Sequence, residues 1–139
     1  MIFSLKQVVN MAHTIDYRIY YEDTDAAGIV YYANYLKFAE RARTEWLRKL
    51  GFSQMHMMKH DGIGFVVRHC EMDFLAPAKL DDMITIETRL QEVSKVRMKM
   101  QQIIKCNKTP LTEINVTLAC INEKGKPVRL PQRLLDKCK

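Results

Sequence analysis

The chain has 139 residues, room for one hydrophobic core but not for two ordinary domains. Hydrophobic residues make up 47% and charged residues 27%, which excludes a disordered or collagen-like chain. The formal charge of +6 suits a polyanionic partner such as nucleic acid, a membrane surface or a phosphate-bearing ligand, although solubility alone accounts for a charge of this size.

Residues 1–10, MIFSLKQVVN, carry one lysine, a short broken apolar stretch and no small-residue cleavage site, unlike a secretory signal. A second methionine, Met11, precedes the first strand pattern. Residues 1–12 are therefore read as a mobile N-terminal arm or an upstream start, and residues 13–139 as a single domain. No apolar run reaches the roughly 18 residues of a membrane span. Cys70, Cys106, Cys120 and Cys138 are scattered, with no CxxC pair and no nearby Cys/His quartet, so neither a zinc site nor a disulfide framework is expected. Free thiols point to the reducing cytoplasm.

Ile15, Tyr17, Ile19 and Tyr21 alternate, the period of a half-buried strand. After the acidic segment EDTD the period changes. Tyr35, Phe38, Ala39, Ala42, Trp46, Leu47 and Leu50 recur at steps of three and four, which predicts an amphipathic helix of about four turns. Asn34 is its expected N-cap, Glu45 is spaced to pair with Lys49, and Gly51 is the stop. A short second helix is expected over Ser53–His60, ended by Asp61 and Gly62. Four strand patterns follow: GFVVRHCEMDFLAP, LDDMITIETRL, KVRMKMQQII and TEINVTLACIN. EKGKP marks a turn, and PQRLLDKCK reads as a terminal strand or helix. A helix with one apolar stripe must bury it, and an antiparallel sheet of about five strands wrapped around one long central helix is the two-layer α+β solution.

The segment EDTDAAGIVYYANY is the chemically distinctive one. It sets Glu22, Asp23 and Asp25 together although like charges repel, and follows them with two alanines, a glycine and tyrosines. On the residues alone, Asp25 reads as a catalytic carboxylate or as a turn or capping residue, and Asp23 as one that orients the loop. Tyr31, Tyr35 and Phe38 read as core or as pocket lining, and Glu40, Arg41 and Arg43 as a solvated helix face or a subunit contact. His56 and His60 have metal-compatible spacing but no companion ligand, and read as surface histidines.

The run YRIYYEDTDAAGIVYYANYLKFAERARTEWL resembles the 4-hydroxybenzoyl-CoA thioesterase family of hot-dog proteins. It is most similar to the Tol–Pal-associated acyl-CoA thioesterase branch, with Tyr21, Asp23, Thr24, Asp25, Gly28, Val30 and Tyr31 at the motif positions. FVVRHCEMDFLAPAKLDDMITIET continues the likeness, which covers about residues 17–121. Tyr32 stands where that branch usually has His and where the 4-hydroxybenzoyl-CoA enzyme has Tyr.

The resemblance implies hydrolysis of an acyl-coenzyme A to free acid and CoA, with no metal and no cofactor. It places the nucleophile or general base at Asp25. The oxyanion donors become the backbone N–H of Tyr32 and the adjoining Ala33, at the N-terminus of the long helix. Gly28, with the small Ala26 and Ala27, is expected to let backbone and acyl chain approach closely. Val30, Tyr31, Tyr35, Phe65 and Val66 complete the implied substrate pocket, and Lys95 and Arg97 are the implied contacts for CoA phosphates. The family forms homodimers that pair into homotetramers, with active sites at the dimer seam, and an acyl carrier protein is a further implied partner.

Three rivals stand beside this reading. A hot-dog hydratase or dehydratase pairs its carboxylate with a nearby His, yet none occurs between Asp25 and His56. A non-catalytic module would bind acyl-CoA or an acyl carrier protein without turnover. A nucleic-acid binder would show basic, aromatic-studded strands or a helix-turn-helix, and neither pattern is present.

Overall fold

The computed structural model of the protein describes residues 12–138. The N-terminal arm expected over residues 1–12 lies, apart from Ala12, outside them. The strands are β1 (His13–Arg18), β2 (Ile63–Phe74), β3 (Met83–Val93), β4 (Met98–Cys106), β5 (Thr109–Asn122) and β6 (Pro127–Val128). The helices are α1 (Asn34–Lys49), α2 (Gln54–His56), which runs on into a π-helical turn (Met57–Asp61), and α3 (Gln132–Cys138). The sheet is antiparallel in the order β1-β3-β4-β5-β2, with the two-residue β6 added on β5. One long helix on such a sheet is the hot-dog fold expected, with a sixth strand too short to show as alternation.

The inward period is realised almost residue for residue. Ile84, Ile86, Thr88, Ile104, Ile114, Val116, Leu118 and Cys120 are buried beneath Tyr35, Phe38, Ala39, Ala42, Trp46 and Leu47 of α1. Ala39 and Ala42 are fully buried, and with no side chain beyond Cβ they let the helix axis settle close to the sheet. Opposite them lies a polar knot. Gln102 Nε2 donates to the Ala39 carbonyl at 2.8 Å and to Thr88 Oγ1 at 3.0 Å, while Gln102 Oε1 accepts from Arg43 Nη1 at 3.0 Å.

Several local expectations are corrected. The first strand ends at Arg18, because the chain turns at Tyr20 into a one-turn 3-10 helix, Tyr21–Asp23, and leaves Tyr21 83% exposed. Asn34 is the first helical residue and not the N-cap. Ala33 holds that place, and the Asn34 amide instead donates to the Asp23 carbonyl at 2.9 Å. Glu45 pairs with Arg48, one residue nearer than Lys49. Ser53 caps the short helix that follows, and Gly62, at φ 64°, closes it. Val96 lies in the turn before β4 and is exposed, so the inward face of that strand begins at Met98. Arg43 is buried, contrary to a solvated helix face. The C-terminal segment is helical, with Leu134 and Leu135 closing the core.

Candidate active site

Between β1 and α1 the chain forms a small hairpin whose backbone is closed on itself. Thr24 and Val30 make an antiparallel bridge, the Asp25 N–H donates to the Ile29 carbonyl at 2.8 Å, and the Gly28 N–H donates to the Asp25 carbonyl at 3.0 Å. Ile29 bridges Lys79 and the Val30 N–H donates to the Ala78 carbonyl at 2.8 Å, which ties the hairpin to the segment between β2 and β3. Gly28 adopts φ +80°, and a Cβ there would meet nothing within 4 Å. The left-handed turn alone favours glycine there, and no protein atom crowds the open side that the acyl chain is expected to approach.

The three carboxylates divide their work. Asp23 is structural: its Oδ2 accepts from the Tyr20 N–H at 2.9 Å, and its carbonyl accepts from the Tyr31 N–H at 3.1 Å and from the Asn34 amide. Asp25 is exposed and uses one oxygen in an Asx turn, Oδ1 accepting from the Ala27 N–H at 2.8 Å. Its other oxygen has no protein donor among the described residues. Glu22 is exposed beside them.

The hairpin is tied to the start of α1 through Asp23, two residues before Asp25, whose carbonyl holds the Tyr31 N–H and the Asn34 amide. The N–H groups of Asn34, Tyr35 and Leu36 bond back to the carbonyls of Tyr31, Tyr32 and Ala33 at 2.8, 3.4 and 3.2 Å. Among the described residues, the N–H groups of Tyr32 and Ala33 have no backbone acceptor outside these bonds. They sit at the positive end of a 16-residue helix.

Aromatic rings surround this junction. Tyr31 and Tyr32 meet edge to face at 4.9 Å, Tyr32 and Phe74 at 6.1 Å, and the Tyr35 and Phe74 centroids lie 6.0 Å apart. Tyr32 is 60% exposed, and Tyr31 and Phe74 are also open to solvent. Val30 and Tyr35 are buried in the core of this chain. The Tyr35 hydroxyl accepts from the Ala78 N–H at 3.0 Å, and burial pushes its pKa up. Hydrogen bonding to Tyr32 raises the pKa of Tyr31.

Phe65 and Val66 are not part of this cluster within one chain. They lie near the opposite end of β2 from Phe74, roughly 30 Å away along an extended strand. There they border several cavities, two of which flank Val66 on the inner and outer sides of the sheet. The inner one, about 240 Å³ between α1 and the sheet, is bordered by Glu40, Arg43, Thr44, Gln54 and Phe65 through Val67. The outer one, about 750 Å³, has apolar walls from Val66, Val96, Ala119 and Ile121, and three arginines: Arg68, Arg97 and Arg129. Ala119 faces outward because its neighbour Leu118 is packed under α1. Val66 borders both cavities. Arg97 is where a phosphate contact was expected. Arg68 and Arg129 had no sequence signal, since a β-bulge after Val67 and the two-residue β6 bring them there. Lys95 does not border the cavity, but its carbonyl accepts from the Leu130 N–H at 2.8 Å, which places it next to Arg129. His56 and His60 stack at 4.1 Å, and no group of three or more metal-ligating side chains is found among the described residues.

Known proteins share this fold. The family described as the thioesterase superfamily matches residues 27–113, from the turn of the acidic hairpin into β5. The acyl-CoA thioesterase YbgC of Haemophilus influenzae is 42% identical over 118 residues, covering 84% of this chain and 87% of the relative. A probable thioesterase from Bartonella henselae superposes with a TM-score of 0.84 at 42% identity, over 86% of this chain and 99% of the other. A variant of 4-hydroxybenzoyl-CoA thioesterase, complexed with 4-hydroxybenzoyl-CoA, shares the fold with a TM-score of 0.87 at 22% identity, over 93% and 99% of the two chains. A closed acidic hairpin that presents one carboxylate at the head of a helix laid on a hot-dog sheet thus occurs in a chain that belongs to the thioesterase superfamily.

Proposed function

We propose that this chain hydrolyses acyl-CoA thioesters, with Asp25 as the catalytic carboxylate. The observation that carries the reading is the pairing of an exposed carboxylate, one oxygen of which is uncommitted, with the Tyr32 and Ala33 N–H groups at the helix start. As a general base, Asp25 takes a proton from water while the water oxygen attacks the thioester carbonyl; the C–S bond then breaks and the CoA thiolate leaves. As a nucleophile, the same oxygen forms an acyl anhydride that water opens. In either case negative charge grows on the carbonyl oxygen, where the Tyr32 N–H stabilises it with a contribution of roughly 10²–10³ in rate. The backbone does this work, so Tyr at position 32 serves as well as His.

The site is completed by a second copy. Among the described residues β2 pairs only with β5, leaving its outer edge open, and its helix-side residues Val67, Cys70 and Phe74 are exposed beyond the flank of α1. An open apolar edge of this length invites strand pairing. A two-fold contact along β2 would lay the Phe65–Val66 end of one chain beside the partner's Phe74 end, and so beside the partner's Asp25 hairpin. The roughly 30 Å between the halves of the implied pocket disappears in such a dimer. Its outer, arginine-lined cavity then receives the CoA phosphates, with Arg97 and Lys95 as contacts. A dimer is the minimal active unit in this reading, and tetramers are pairs of dimers. The Tol–Pal-associated branch and a cytoplasmic site of action belong to the same reading. No helix among the described residues is long and apolar enough to cross a membrane, and all four cysteines are free.

The test is thiol release from a panel of acetyl-, octanoyl-, palmitoyl- and benzoyl-CoA. Turnover on at least one is expected. Tight acyl-CoA binding by calorimetry without turnover on any would replace the enzyme with a binding module.

A further inference from the structure

Arg43 is the only charged side chain that is buried among the described residues, with 9% of its surface exposed. Its single protein hydrogen bond there goes to Gln102 Oε1, and no carboxylate forms an ion pair with it. Gln102 is held by both of its N–H donors on Ala39 and Thr88, so it fixes the guanidinium in place without neutralising it. Burial lowers the Arg43 pKa against the opposing pull of Glu40, whose own side chain is exposed. A buried charge held in position with most of its five N–H donors unspent is costly unless something outside the chain pairs with it.

Arg43 borders the inner cavity, together with the polar Thr44 and Gln54. The cavity lies across Val66 from the arginine-lined outer one, so a ligand anchored outside by phosphates reaches it around the Phe65–Val66 end of β2. We propose that the inner cavity receives the acyl group and that Arg43 selects short acyl groups ending in a carboxylate. This rests on the thioesterase reading above. A planar guanidinium fork matches a carboxylate in two parallel hydrogen bonds and matches no aliphatic terminus. The volume of about 240 Å³ holds about eight water-sized groups at roughly 30 Å³ each. That is room for the methylenes and carboxylate of an adipoyl group.

The test compares adipoyl-CoA with 6-methylheptanoyl-CoA, in which an isopropyl group replaces the carboxylate at equal size. The wild-type enzyme is expected to favour adipoyl-CoA in kcat/KM by about tenfold or more, the usual worth of a charged hydrogen-bonded contact. Arg43→Met is expected to reverse the order, a change in selectivity that a merely structural arginine would not produce. Should that variant misfold, Arg43→Met with Gln102→Leu removes the charge and the group that holds it together. Titrating Asp25→Asn with both thioesters reads the same preference as a ratio of Kd values, without turnover. Equal kcat/KM or equal Kd for the two ligands in the otherwise intact pocket overturns the selectivity, even if both are hydrolysed. Absence of thiol release from every acyl-CoA overturns the catalytic reading instead, and the titration still decides the fate of Arg43.

Discussion

Replacing Asp25 by Asn separates chemistry from architecture in this hairpin. The new side chain keeps a carbonyl oxygen in the place of Oδ1, so it can still accept from the Ala27 N–H, now 2.8 Å away. That bond loses its charge assistance, which about halves its strength, and the carboxylate is already exposed and screened. The expected cost in stability is therefore below about 1 kcal/mol, a Tm change of a few degrees at most. The second oxygen becomes an amide nitrogen that can neither take a proton from water nor attack a thioester. Loss of general-base catalysis alone is worth about 10²–10⁴ in rate, or roughly 2.7–5.5 kcal/mol of barrier. Thiol release under saturating acyl-CoA should fall by at least that factor, while calorimetric Kd for the same ligand stays within about threefold. Turnover within tenfold of wild type in a correctly folded variant would refute the assignment of Asp25. A large fall in Tm would instead mean that the hairpin needs the charge for its own stability.

Tyr32→His should keep activity within about tenfold if, as proposed, the backbone N–H is the acting group; a collapse would implicate the phenol. Lys95→Ala and Arg97→Ala should each raise KM for acyl-CoA more than they lower kcat, with little effect on a short pantetheine thioester that lacks the nucleotide phosphates; equal effects on both substrates would place the phosphates elsewhere. Light scattering across the assay range should report at least twice the 16.3 kDa monomer mass, and a fully active monomer would contradict a site shared across β2. Burial holds the Cys120 and Cys138 thiols up at about 11, against an ordinary value of 9.0. The folded state then keeps protons that the unfolded state releases, so this contribution to stability is intact below pH 9 and is lost as pH rises toward 11, by about 2–3 kcal/mol per thiol. Urea midpoints should fall across that window, less steeply in Cys120→Ala; an identical slope in the variant would exclude the buried thiol as the cause.

The sheet and its helix were legible because their side chains obey two short periods. Ile84, Ile86 and Thr88 face the core at period two, and Phe38, Ala42 and Trp46 do so at steps of four. Asp25 was legible because three carboxylates in four residues are electrostatically unfavourable without a reason, and the hairpin supplies one reason for Asp23 and another for Asp25. What the sequence hides is set by long-range contact. Arg43 reads as one more charge on an amphipathic helix. Its burial depends on Gln102, 59 residues away, offering an acceptor that is itself held by Ala39 and Thr88. Arg129 enters the outer cavity through a strand of two residues, too short to leave a pattern. Val30 carries a motif position and is also buried in the core, beside Tyr35, where it anchors the hairpin that holds Asp25.

A single sheet with one helix covers its inner face as far as β5 and leaves the helix side of β2 uncovered, where Val67 and Phe74 meet solvent. The same strand separates the junction that carries Asp25 from the cavities that border Val66. The dimer proposed above would resolve both. A second β2 laid along the first would remove apolar surface from water, complete an unpaired ladder and bring each Asp25 to the other chain's cavities. Stability and catalysis would then be drawn from the same contact. A charge placed on the edge, such as Val67→Lys, should therefore lower association and turnover together, with turnover restored as protein concentration rises. If turnover per chain stayed constant while light scattering showed monomers, the carboxylate and its substrate cavity would have to lie within one chain, and the outer arginines would need another role.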